Sequence, residues 1–189
     1  MLKTIFAYAL LLCGVNAICA QEREAPIETQ YLMLRKALAF ERGLLARTDK
    51  EIVVGVLYQS RHPSSLAFLV KLREAIKKVD VERFTTRPLR FVEIELHENF
   101  DFARDSTKQR FEVFYLGPVH TWEVKALTEI SRARKILTFT GVPAQVEAGL
   151  TLGVIISENR PLLLINLPAA RAEGAEFDAQ LLRLARILE

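Results

Sequence analysis

Three histidines, His62, His97 and His120, each fall at or just after a run of residues that reads as a β-strand. Imidazole titrates near neutrality and ligates metals readily, so three of them at one edge of a sheet could hold an ion or sense pH. Their spacing matches no metal motif, however, and loop histidines are common, so no metal is expected. Beside His62, Ser64 and Ser65 follow Pro63 where a helix should begin. Hydroxyls and unpaired N–H groups at a helix start suit an anion or carboxylate, although helix capping alone also accounts for them. Glu95, Glu98 and Asp101 flank His97 and have acid–base chemistry, which a solvated loop explains equally well. Tyr115 and Trp122 have the size to line a pocket, but aromatic residues at element boundaries more often belong to a core.

Signatures of catalysis are missing. The chain has no G-x-S-x-G elbow, no H-E-x-x-H, no P-loop and no G-x-G-x-x-G. Its two cysteines, Cys13 and Cys19, both lie in the first 20 residues. The chain is therefore expected not to be an enzyme and to use no cofactor.

The elements that must position these residues alternate in type. Ile27, Tyr31, Leu34 and Leu38 form one helical stripe running into "ERGLLART"; "EIVVGVLY" (51–58) reads as a strand covered on both faces. A helix carrying Leu66, Leu69, Leu72, Ile76 and Val79 follows, then an alternating strand at 89–97 and a polar, helical stretch to Arg110. Next come strand "FEVFYLG", helix "HTWEVKALTEISRA", strand "KILTFTG", a short helix "PAQVEAG", and two strands joined by "SENR", which has hairpin-turn chemistry. Phe177, Leu181, Leu184 and Leu188 step by four, three and four, which predicts a docked C-terminal helix. Asn166, before Pro168, should cap a helix, and Arg183 and Arg186 are read as ion-pairing. The pattern predicts a three-layer α/β/α sandwich: a mainly parallel sheet, a C-terminal antiparallel hairpin and that final helix.

In such sheets ligands gather beyond the carboxyl ends of the strands. Loops 58–65, 117–122 and 138–143 should meet there, which makes Tyr58, Gln59, Ser60, His62, Ser64, Ser65, His120, Thr140 and Gly141 the candidate ligand-binding residues.

"MLKTIFAYALLLCGVNAICA" places one lysine before a short apolar run and small residues, the layout of a secretory signal peptide. Cleavage is expected after Ala20, with Ala17 as the alternative. Bulky Ile18 disfavours lipid attachment at Cys19. The expected domains are thus a leader, 1–20, and one exported domain, 21–189, without a thiol. The whole chain carries 26 basic and 23 acidic side chains, a net charge of +3 that argues against a dedicated nucleic-acid binder.

The ending, "LTFTGVPAQVEAGLTLGVIISENRPLLLINLPAARAEGAEFDAQLLRLARILE", resembles the end of the YfiR family of periplasmic regulators. The matching features are Leu137-Thr138, Val142–Gly149, Gly153, Ile165-Asn166-Leu167, Ala169–Arg171 and Gln180–Arg186. "IVVGVLYQSRHPSS" is similar to the family's first strand and loop. The resemblance implies a non-catalytic periplasmic protein that binds the outer part of an inner-membrane diguanylate cyclase and holds it inactive. It leaves room for a small-molecule ligand and for a homodimer. Redox-controlled members use cysteine pairs in the mature domain, so that control should be absent here. The chain departs from the family at its first helix, where an aromatic-rich segment is replaced by "QYLMLRKALAFERGLLART". Two other readings remain open at this level: a periplasmic small-solute receptor serving a sensor kinase or transporter, and an unrecognised hydrolase.

Overall fold

The computed structural model describes residues 23–47, 50–78, 87–97 and 109–189. The leader, Val79 and the polar stretch expected to be helical up to Lys108 lie outside the described residues, as do the side chains of Leu45 and Thr121–Glu123 within their helices.

A short strand, β1 (Arg23–Glu24), leads into α1 (Ile27–Ala39) and α2 (Arg42–Arg47). Then β2 (Ile52–Tyr58), α3 (Pro63–Lys78), β3 (Leu89–Glu95), β4 (Val113–Leu116), α4 (Thr121–Arg134), β5 (Leu137–Thr140) and α5 (Pro143–Glu147) follow. The chain closes with β6 (Leu152–Ser157), β7 (Arg160–Asn166), α6 (Leu167–Glu173), α7 (Ala179–Arg183) and β8 (Ala185–Leu188).

Among the described residues the strands form one sheet in the order β3-β2-β4-β5-β6-β7-β8. β3, β2, β4, β5 and β6 are parallel, β6 and β7 form the antiparallel hairpin, and β8 lies parallel to β7. Glu158 and Asn159, at φ 50° and 61°, make the two-residue turn whose left-handed backbone matches strand twist. The chain passes from β2 to β3 on one side and then to β4 on the other, so strand order reverses at β2. β1 takes up the edge of β6 at Ile155 and Ile156, beyond Leu152 and Gly153, where β5 pairs. That detour carries the start of α1 over the carboxyl ends of the strands.

The apolar pattern explains the layers. Every residue of β4 and β5 is buried, as a central strand between two helical layers requires, whereas edge strand β3 alternates. Tyr31, Leu34 and Leu38 of α1 pack with Phe68, Leu69 and Leu72 of α3 on the face formed by Val54, Val56, Val113 and Tyr115. Val124 and Leu127 of α4 cover the other face with Val53, Leu57, Phe114 and Leu116. This is the expected three-layer α/β/α arrangement. The α3 stripe is displaced from the predicted one: Leu66 is exposed, and Ser65, Phe68, Leu69, Leu72 and Ala75 face inward.

Two elements differ from the sequence expectation. The first helix does not run on into "ERGLLART". The Glu41 carboxylate accepts the N–H groups of Gly43 (3.1 Å), Leu44 and Glu176 (2.6 Å), so Glu41 acts as an N-cap and α2 starts afresh.

The docked C-terminal helix is also corrected. Asp178 caps α7 through the Gln180 N–H (2.8 Å), but α7 ends at Arg183, and Ala185–Leu188 pair with Leu163–Asn166 as a strand. β7 would otherwise present unpaired N–H and C=O groups along that side, and satisfying them outweighs a helical spacing of four leucine and phenylalanine residues. Leu181 is buried, whereas Leu184 is 65% exposed. Leu184→Asp should therefore change stability by no more than about 0.5 kcal/mol, while Leu181→Ala should cost about 2–4 kcal/mol. Thermal melts of the two variants check this.

Candidate functional site

The reversal of strand order opens a crevice between the carboxyl ends of β2 and β4. The loop from β2 to α3 is held tightly at its rim. The His62 N–H donates to the Gln59 carbonyl (3.2 Å), the N–H groups of Ser65 and Leu66 donate to the His62 carbonyl (3.0 Å each), and the Gln59 N–H donates to Ser65 Oγ (2.9 Å). Ser65 is buried, its hydroxyl committed to the loop. Ser64 is exposed, with its Oγ 2.8 Å from His62 Nδ1. Ser60 donates to Glu95 across the mouth of β3.

His62 and His120 meet here, ring centroids 5.4 Å apart and nearly perpendicular. The third histidine, His97, follows β3. Among the described residues no three His, Cys, Asp or Glu side chains are grouped to hold a metal ion. Burial raises the Tyr58 hydroxyl above its ordinary pKa, aided by the charges of Glu95 and Glu93. Glu93 in turn is lowered by its paired hydrogen bonds from Arg73 (2.6 Å each).

Behind this rim lies a cavity of about 220 Å³ between α1, α3 and the loops after β4 and β5. Gln30 of α1 forms part of its floor. Its Nε2 donates to the Ala25 carbonyl (2.7 Å) and its Oε1 accepts the Tyr115 hydroxyl (2.7 Å). Tyr115 is fully buried, and that burial pushes its pKa well above the ordinary value. Gly141 lies directly beneath the Gln30 amide: a Cβ there would fall 2.0 Å from Gln30 Oε1. Thr140 is buried beside it, donating to Gln145 Oε1 (2.6 Å) and accepting from the Val142 N–H (3.0 Å). Gln145 Nε2 reaches the Gly117 carbonyl (3.2 Å), which ties the two loops together. Lys71 and Glu24 bring opposite charges to the wall.

Of the predicted residues, Ser64 and Gly141 line the cavity, while Tyr58, Ser60, His62 and His120 belong to the rim. Ser65, Thr140 and the Gln59 main chain build the loops. Sequence reasoning missed Gln30, Lys71 and Glu24. Gln30 did carry a signal, since it sits three residues after Ile27 on an otherwise apolar stripe, where a polar group needs a buried partner. Chemically, the arrangement is a small preformed pocket with polar anchors. The Ser64–His62 contact is local, between residues two apart, and resembles a loop-fixing bond more than an activated nucleophile.

Several solved structures share the fold. A domain from Streptococcus pneumonia described as an ABC domain in complex with L-Trp matches with a TM-score of 0.60 and 13% identity, over 86% of this chain and 62% of that one. A conserved domain protein from Vibrio cholerae gives 0.60 and 13%, over 87% and 60%. The ligand-free, open structure of a substrate binding protein with adhesive properties from Clostridium difficile gives 0.52 and 14%, over 74% and 55%. The chain thus spans little more than half the length of these structures, and the likeness is one of fold. No curated protein matches its sequence. The sequence model of the YfiR/HmsC-like family matches residues 46–186, from α2 through β8, and includes every feature on which the resemblance rested. The chain belongs to the YfiR/HmsC-like family.

Proposed function

We propose that this protein is a non-catalytic, exported regulator that binds the periplasmic portion of an inner-membrane signalling protein, with a diguanylate cyclase as the expected partner. The observation that carries this reading is the family match over residues 46–186. Two features of the chain support it: a leader-like start, and no helix among the described residues long and apolar enough to cross a membrane. A protein of this kind acts by binding one state of its partner better than another, and its effect is limited by that difference in affinity. Because Cys13 and Cys19 both lie in the leader, the control should be indifferent to thiol reagents acting on the exported domain.

Deleting the gene should raise cyclic-di-GMP and surface attachment, and exporting the domain to the periplasm should reverse both. The same domain made without Met1–Ala20 should have no effect. Unchanged cyclic-di-GMP on deletion would overturn the reading.

The cavity favours a second reading, a small-solute receptor. Lys71 and Glu24 are complementary to a solute carrying both charges, and the structural neighbours include a substrate binding protein. Tight binding of such a solute, weakened by Ser64→Ala but without effect on cyclic-di-GMP, would favour it.

A further inference from the structure

Residues 23–26 are fastened more lightly than the helix they lead into. β1 pairs with β6 through two residues, Arg23 opposite Ile156 and Glu24 opposite Ile155. The side chains of Arg23, Glu24 and Pro26 are exposed, which leaves the methyl group of Ala25 as the apolar anchor of the segment. Arg23 Nη2 donates to Asn159 Oδ1 (3.2 Å) in the hairpin turn, and the Ala25 carbonyl accepts Gln30 Nε2. Pro26, at the N-cap position of α1, supplies no side-chain hydrogen bond. One turn further on the footing changes: Gln30 satisfies the buried Tyr115 hydroxyl, and Tyr31, Leu34 and Leu38 are at most 1% exposed. Short pairing and little buried apolar area place a segment at the low end of local stability.

What the segment covers gives that weakness a consequence. β5 pairs with β6 at Leu152 and Gly153, and β1 occupies the same edge further along, at Ile155 and Ile156. The segment also carries Glu24 into the lining of the 220 Å³ cavity. Ser64, Phe68 and Lys71 line the same cavity from α3, a helix fixed to the sheet through Phe68, Leu69 and Leu72.

We infer that residues 23–26 form a latch, hinged before Gln30, that swings off the edge of β6 while the rest of the domain stays folded. With the latch closed, the cavity has Glu24 in its wall. With it open, that wall and its charge are withdrawn and the edge of β6 is bare. An occupant that uses Glu24 therefore binds the closed state and holds the latch shut, to the extent of its preference for that state. Opening itself requires neither the solute nor the partner discussed above.

Hydrogen exchange of the exported protein, read residue by residue by NMR, tests it. The amides of Ile155–Ser157 that point toward β1 should exchange at least tenfold faster than those of Val113–Leu116 in the central strand β4. Both native cysteines precede residue 21, so Arg23→Cys with Ile156→Cys, at directly opposed positions, should close a single disulfide. The disulfide should slow that exchange at least tenfold, and reduction should restore it. Asn159→Gly suits the left-handed turn at φ 61° and removes the acceptor of Arg23, so it should speed exchange severalfold. Thiol labelling gives a second reading: Ala25→Cys should react at least tenfold faster than Ala75→Cys, which lies in the core side of α3. Equal exchange at the β6 edge and in β4 would mean that the segment opens only when the whole domain unfolds, and overturns the inference. So does equal reactivity of the two thiols, or exchange that ignores an intact disulfide.

Discussion

Glu173→Ala is expected to destabilise the domain by about 3 kcal/mol, among the largest effects of any single substitution outside the apolar core. The Glu173 carboxylate is fully buried, and among the described residues hydrogen-bond donors, not a cation, face it. It accepts the Thr138 N–H (2.9 Å), the Thr138 hydroxyl (2.9 Å), the Ser131 hydroxyl (2.8 Å) and the Thr151 hydroxyl (2.5 Å). One side chain thereby joins the end of α6 to α4, to the first turn of β5 and to the approach to β6. Alanine would leave those donors facing a void. Hydroxyls can turn to accept, so Glu173→Gln, with its oxygen towards the Thr138 N–H and its amide towards the hydroxyls, should lose only about 1 kcal/mol.

The two variants also make a pH prediction. Burial raises the Glu173 pKa above its ordinary value, overcoming the bonds from Thr151, Ser131 and Thr138 that act to lower it. The folded protein therefore retains this proton to a higher pH than the unfolded chain, in which the group titrates near 4.5. Below that value the contribution of the protonated group is fully present, and it fades as pH rises through the folded value. The stability advantage of the native protein over Glu173→Gln should shrink from acid pH towards neutrality. Melting curves across that range check it, and a pH-independent difference would refute it.

The second large effect is at Gly141. Its missing side chain is what lets α1 approach the end of β5, since a Cβ would stand 2.0–2.2 Å from three atoms of the Gln30 amide. Gln30 cannot retreat cheaply, because one end holds Ala25 and the other satisfies the buried Tyr115 hydroxyl. Gly141→Ala should cost about 2–3 kcal/mol through overpacking and a disturbed buried hydrogen bond. It should also alter the 220 Å³ cavity, since both residues line it. Urea unfolding gives the stability term. A loss below about 0.5 kcal/mol would mean that Gln30 is not held as described.

The sheet was legible because its evidence is local: nearly unbroken apolar runs for β2 and β4, turn chemistry at Glu158-Asn159, an asparagine before a proline at the start of α6. The location of the candidate site was legible too, because the crevice follows from alternating strands and helices. What could not be read are features fixed by residues far apart in sequence. Nothing near Glu173 announces that it faces Ser131, Thr138 and Thr151. Nothing near Glu41 announces a bond to the Glu176 N–H, the contact that interrupts the first helix. β8 is the clearest case. Its four residues share their pattern with a helix, and only the open side of β7 decides between the two. Gln30 lies in between, a polar residue on an apolar stripe whose partners, Ala25 and Tyr115, could not be named in advance.

The junction of α1 and α2 with the segment after α6 bears on when the fold can be completed. Glu41 and Arg42 reach far ahead in the chain: to the Glu176 N–H and carbonyl through the Glu41 carboxylate and the Arg42 N–H, and to the Asp178 carboxylate through the Arg42 guanidinium. The Asp178 N–H returns to the Phe40 carbonyl. In a chain made from its amino end, α1 is synthesised well before the groups that fasten its end, which follow about 135 residues later. Closing so long a loop carries a large entropy cost before any contact offsets it. Until then the apolar stripe of Tyr31, Leu34 and Leu38 lacks β7, the strand with which it shares a core. α1 therefore waits long for its native neighbours, which leaves a chaperone time to hold it.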